Sequence, residues 1–294
     1  MSQSSEITNV AEPSEATEPA NAEKTQPNPN APQKSVFREY LESFIVTLIM
    51  AFFGMTFIVQ AVTVPTGSMQ NTIYIGDHFL VNKFIYGPGT PLPFLPMREV
   101  RRGDIVVFKY PGNRVNPAMD RSRDLKPYEI NYIKRVIGLP GDTVEFRDNR
   151  VYINGQLLPE RRLIGDTVAE RGRNPDKVSL TVKEFEPDPP DATYTVYYET
   201  DTVEAEKKGI SVVEGRGMNF GVAGKPSIVP PDHYFMMGDA RDNSEDSRYW
   251  GFVHRDLIIG RAMFIYWSCD QSQNDSFIGC LTSPRFNRIG TLIK

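Results

Sequence analysis

Several things are missing from this sequence, and each absence excludes something. There is no excess of basic charge: the formal net charge is -4, so nothing points to nucleic acid as a partner. There is no internal repeat, no Gly-rich phosphate loop and no metal-ligand spacing, so no cofactor is expected. The acidic stretch from Asp239 to Asp246 lacks the glycine and the distal glutamate of a calcium-binding loop. Histidine is scarce, with three residues, and so is cysteine, with two. Cys269 and Cys280 leave two readings open. One is a disulfide closing a short loop, if the domain faces an oxidising compartment. The other is a pair of small unpaired apolar side chains.

Two segments are defined by what they do not contain. Residues 1–35 have almost no large apolar side chain and are rich in Ser, Glu, Pro, Asn and Ala. Such a stretch cannot bury enough surface to offset its ordering entropy, so it is expected to be disordered. No charged residue occurs between Glu42 and Asp77. Phe44 to Val64 is about the length that crosses a bilayer core as a helix. A cleavable signal peptide is the competing reading, but this apolar run is too long and too far from the start. Lys34 and Arg38 precede the span, and the first basic residue after it is Lys83. That asymmetry favours the N-terminus inside and the larger part outside.

What remains reads as β structure. Short apolar runs such as "DHFLVNKFIYG", "GDIVVFKYP" and "NYIKRVIG" are punctuated by Gly, Pro, Asn and Asp. Asn154-Gly155 between apolar runs predicts a tight hairpin. The boundaries expected are a disordered tail at 1–40, a transmembrane helix at 41–64, a β core at 65–159 and 229–294, and an inserted β-rich region at 160–228. A Pro-rich loop at 86–97 carries Leu92, Phe94, Leu95 and Met97, and is expected to meet the lipid interface.

The candidate chemistry starts just past the apolar run, at "VPTGSMQNT". Alone, this stretch is an ordinary turn. If Ser68 is a nucleophile, it needs a base. His78, His233 and His254 sit in contexts that carry no further signal. Lys134 is the other option, because a lysine buried among apolar groups can lose its proton near neutral pH. In a strand, Tyr132, Lys134 and Val136 share one face. A lysine snorkelling from a strand edge is the plain alternative.

In order, "PTGSMQNTI", "GDHFLVNKFIYG", "RRGDIVVFKYP", "NYIKRVIGLPGD" and "MMGDARDNSEDSRYWGFV" behind an apolar span resemble bacterial type I signal peptidase. The resemblance covers about 44–110, 131–158 and 229–268. It implies a mainly β protein: one transmembrane helix, then an extracytoplasmic antiparallel β catalytic core with an inserted β-rich second domain. It implies a serine endopeptidase at the outer face of the inner membrane, without cofactor or metal. Its partners would be membrane-bound preproteins and the bilayer. Carried over by position, Ser68 is the nucleophile and Lys134 the base. Thr66 and the Ser68 N–H hold the oxyanion, and Ser244 orients the lysine. Asp242, Asp246 and Arg248 give structural support. Val62, Val64, Ile73, Tyr132 and Ile133 line shallow pockets for small side chains. Many relatives have serine where this chain has Thr66; the hydroxyl is kept, with a methyl added. A relative dedicated to one precursor, such as a pilus or conjugation protein, and a non-catalytic peptide-binding domain are the alternatives.

Overall fold

In a computed structural model of the chain, the described residues are 35–87, 97–165, 182–210, 217–269 and 277–294. The expected disorder at 1–34 and the loop side chains Leu92, Phe94 and Leu95 lie outside them. The chain separates into a unit ending at Leu48 and a compact unit from Ile49 to Lys294.

The apolar run forms helix α1, Val36–Phe57, 22 residues with none buried. At 1.5 Å per residue it is about 33 Å long, enough to cross a membrane. Its limits differ from the expected 41–64. It starts earlier and stops at Phe57, because Val59–Thr63 is taken by strand β1. The sequence VQAVT, with β-branched Val59, Val62 and Thr63, pairs with β2, Asp77–Asn82, in register from Val59↔Asn82 to Thr63↔His78. Lys83 closes the helix end, its Nζ donating to the Thr56 carbonyl at 2.7 Å.

The chain continues through β3 (Ile105–Lys109), α2 (Pro117–Ser122), β4 (Asn131–Gly138), β5 (Thr143–Arg147), β6 (Arg150–Ile153) and β7 (Gln156–Leu157). Then come β8 (Arg161–Gly165), β9 (Val182–Glu184), β10 (Thr195–Tyr198), α3 (Thr200–Lys207) and β11 (Ser227–Ile228). It ends with β12 (His233–Met237), α4 (Ser247–Trp250), β13 (Val253–His254), β14 (Ile258–Ser268) and α5 (Phe277–Thr282). The main sheet is antiparallel, with strand order β1-β2-β14-β3-β4-β12-β13. β14 is drawn from the far end of the sequence and lies between β2 and β3.

Both faces of this sheet are covered, so alternate residues of one strand enter different cores. Ile105 and Val107 of β3 join Val64, Met69, Ile73, Phe79 and Ile133. Val106 and Phe108 join Tyr110, Val136, Met236 and Trp250. A four-stranded sheet, β11-β5-β6-β7, and a three-stranded one, β10-β8-β9, complete the architecture. The Asn154-Gly155 turn joins β6 to β7 with φ of 53° and 81°, as a two-residue hairpin requires. Residues 160–228 supply β8–β11 and also α3. Their Val196, Tyr198 and Val203 share a core with Val144 and Phe146 of β5, and with Ile137 and Phe235 of the main sheet. Cys269 and Cys280 are bonded to each other, tying the end of β14 to α5.

Candidate active site

Residues Gly67–Met69 form one buried 3-10 turn between β1 and β2. Thr66 leads into it in extended conformation, at φ -132° and ψ 154°. Met69 anchors the turn in the core, and its Sδ accepts the Asp239 N–H at 3.4 Å. The Ser68 carbonyl accepts from Ala240 N–H at 3.2 Å. The nucleophile candidate is therefore docked against the loop that follows β12. Thr66 is exposed, and its hydroxyl makes no capping bond to the turn.

Lys134 lies in the middle of β4, opposite Val106 of β3. Its side chain is 3% exposed and Ser68 is 8% exposed. Lys134 Nζ stands 2.6 Å from Ser68 Oγ and 3.2 Å from its neighbour's carbonyl at Ile133. A charged amine there donates to the hydroxyl; a neutral one can accept the hydroxyl's proton. Burial lowers the Lys134 pKa from 10.5 to about 8, against the pull of Asp246, Glu245 and Asp239 toward the charged form and with help from Arg248. None of the three histidines hydrogen-bonds Ser68 or Lys134: His78 meets Thr63, His233 the Pro231 carbonyl and His254 the Asp256 N–H.

Ser244 is buried near this pair, but its Oγ makes no hydrogen bond with Lys134. It packs against Gly238: a Cβ there would lie 2.3 Å from Ser244 Oγ and 2.4 Å from the Ser68 carbonyl. Only glycine lets the two loops approach this closely. Asp246 and Arg248 form a fully buried pair through two contacts of 2.8 Å. Asp246 also accepts the Gly238 N–H at 3.1 Å, so the pair fixes the loop under the lysine. Asp242 accepts the Glu199 N–H at 2.6 Å and ties the same loop to the 160–228 region.

Of the expected pocket residues, Val64, Ile73 and Ile133 are buried in one apolar cluster, with Val62 packed against it. Tyr132 belongs to the cluster on the other face of β4, and its ring lies 5.4 Å from Lys134 Nζ. Two further pairs, both almost fully buried, have no counterpart in the sequence reading. Arg135 grips Asp239 through two contacts of 2.7 Å, and Asp239 also accepts Thr72 Oγ1 at 2.6 Å. Arg241 pairs with Glu160 deep in the fold. The one available signal was a second basic residue, Arg135, inside an apolar strand. Among the described residues the one grouping at metal-ligand distances is His78, Cys269 and Cys280, whose sulfurs are bonded to each other.

A serine hydroxyl 2.6 Å from a buried amine is an arrangement that can support acyl transfer. Comparison with known proteins points the same way. A family model described as "Signal peptidase, peptidase S26" matches residues 37–267. A Signal peptidase I from Pseudomonas aeruginosa is 32% identical over 268 residues, covering 86% of this chain and 78% of that protein. One from Buchnera aphidicola subsp. Schizaphis graminum is 33% identical over 278 residues, covering 88% of this chain and 83% of that protein. A crystal structure of a signal peptidase I from Enterococcus faecalis V583 is 27% identical and covers 56% of this chain and 97% of that one, with a TM-score of 0.28.

Proposed function

The chain belongs to the signal peptidase family, peptidase S26, and on that premise we propose that it is a membrane-anchored serine endopeptidase working through Ser68 and Lys134. Its substrates are exported preproteins, cut after a small-x-small site at the end of the signal peptide. α1 is the anchor in the bacterial inner membrane, and the β core acts on the outer face. The observation that carries this reading is the 2.6 Å contact between Ser68 Oγ and an amine whose pKa is lowered to about 8.

The steps follow from the positions of these groups. The substrate lies extended along the sheet, by strand addition. Its small side chains fill shallow pockets beside Val62, Val64, Ile73 and Ile133, with Tyr132 at the rim. Neutral Lys134 takes the Ser68 proton as Oγ attacks the scissile carbonyl. The Ser68 N–H and the Thr66 hydroxyl stabilise the oxyanion. The ammonium then protonates the leaving amine, and water releases the acyl group. Ser244, Asp246 and Arg248 hold the lysine's surroundings in place, and no metal takes part. Because enzyme and signal peptide are both held in one bilayer, their effective concentration rises without any new contact.

The test is cleavage of a preprotein from an unrelated source by the purified full chain in detergent. The expected result is one cut after a small-x-small site, lost in Ser68→Ala and in Lys134→Ala. Lys134→Arg should be equally inactive, because a guanidinium does not give up its proton in proteins. Turnover by the arginine variant would remove Lys134 from the role of base.

A further inference from the structure

Three acids bear on Lys134, and they are not alike. Asp246 is locked to Arg248 and Asp239 to Arg135, each pair almost completely buried. Glu245 is the third. It stands between Ser244 and Asp246 and is paired with Arg123, just past the end of α2; the two side chains are 28% and 48% exposed. This pair is the outer end of a continuous wall beside the lysine. Lys134 Nζ faces the Tyr132 ring, and Tyr132 stacks on Tyr110 with ring centres 4.6 Å apart. Tyr110 donates to Asp120 of α2 at 2.8 Å, and α2 runs on to Arg123. On the other side, Trp250 Nε1 donates to the Glu245 carbonyl at 3.4 Å.

A carboxylate in this place opposes the chemistry, since a negative charge near the amine keeps its proton on. We propose that the Arg123–Glu245 ion pair is a positioning device for the reaction: Arg123 draws the Glu245 carboxylate to the rim and cancels its charge at Lys134. The proposal rests on the reading of Lys134 as the base. The charged groups acting on the lysine are Asp246, Glu245 and Asp239, which favour its proton, and Arg248, which opposes it. Tyr132 feels Glu245, Asp120 and Arg123, and its hydroxyl, pushed up to about 12 mainly by burial, stays neutral through the working range. Of the acids, Glu245 alone has a partner that can be removed without opening the core.

The experiment is the pH profile of kcat/KM on a soluble peptide substrate at low salt. It compares the full chain in detergent with Arg123→Gln, Glu245→Gln and the double variant. Arg123→Gln should move the acid limb to higher pH by about half a unit, roughly threefold in rate at neutral pH, with the high-pH plateau kept. Glu245→Gln should move it the other way, and the double variant, with neither charge, should return close to wild type. At about 1 M salt, where screening acts over roughly 3 Å, the differences should shrink. Single-variant limbs that superimpose on wild type, or that move together in one direction, would overturn the proposal. So would a lowered plateau, which marks damage to the fold rather than to the charge balance. Lys134→Ala, run alongside, separates the two readings. If it stays active, the assignment of the base has failed; if it is dead while the limbs do not move, the ion-pair proposal alone has failed.

Discussion

Replacing Lys134 by Met should kill the enzyme and stabilise the protein. Methionine keeps most of the side chain's length and removes the amine. Lys134 is 3% exposed, and burial is the main cause of its fall in pKa from 10.5 to about 8. That fall of about 2.5 pH units corresponds to about 3 kcal/mol, at about 1.4 kcal/mol per unit. The sign follows from where the proton sits. Below about pH 8 folded and unfolded chains both carry it, so folding bears the full cost of burying the charge. Between about 8 and 10.5 the unfolded chain alone holds the proton, and the cost fades as pH rises. Above that range neither state is charged and the cost is gone. Methionine also gives up the 2.6 Å contact with Ser68, worth about 1 kcal/mol. The net gain is about 2 kcal/mol at pH 7, or about 4–8 °C in Tm for a unit of this size. Above pH 11 the order should reverse by about 1 kcal/mol. Thermal unfolding of both proteins in non-ionic detergent, followed by near-UV circular dichroism from pH 6 to 11, reads this directly. A variant no more stable than wild type at pH 7, or a difference that does not change with pH, would refute the account of a desolvated lysine.

Three other substitutions test the site's geometry. Thr66→Val keeps the shape and removes the hydroxyl; kcat should fall about 100-fold while KM holds, and an unchanged kcat would take the oxyanion role from Thr66. Gly238→Ala should cost at least about tenfold in activity and lower Tm, because its Cβ would fall 2.4 Å from the Ser68 carbonyl; full activity would show that the loops can part freely. Asp239→Asn leaves the Arg135 guanidinium, 1% exposed, without its counter-charge, and denaturant unfolding should show a loss of about 3–5 kcal/mol.

Local patterns in the sequence were readable where local physics decides the outcome. The uncharged run gave a helix, and Asn154-Gly155 gave a hairpin with both residues at positive φ. The alternation along "YIKRV" placed Ile133 in one core and Tyr132 and Val136 in the other. What was not readable depends on distant residues. α1 stops at Phe57 because β1 has a partner in β2, and hydropathy alone does not register a partner. Arg135 finds Asp239 and Arg241 finds Glu160 only once separate segments have come together. Ser68 and Lys134 as a pair were reached through the family's ordered motifs, because 66 positions separate them and no periodicity links them.

The placement of β14 has a consequence for how the protein is made. Its residues, Ile258–Ser268, fill the gap between β2 and β3. A ribosome delivers β2 and β3 long before the strand that joins them. Until then the half of the sheet that carries the Ser68 turn has no hydrogen-bonded route to the half that carries Lys134. The Ala240 N–H that holds the Ser68 carbonyl also arrives late. Contacts of such sequence separation form slowly. A nascent chain therefore has exposed strand edges and no assembled serine–amine pair through most of its synthesis. Whatever peptide lies near it during translation, the sheet that joins the Ser68 turn to Lys134 is not complete until β14 has emerged.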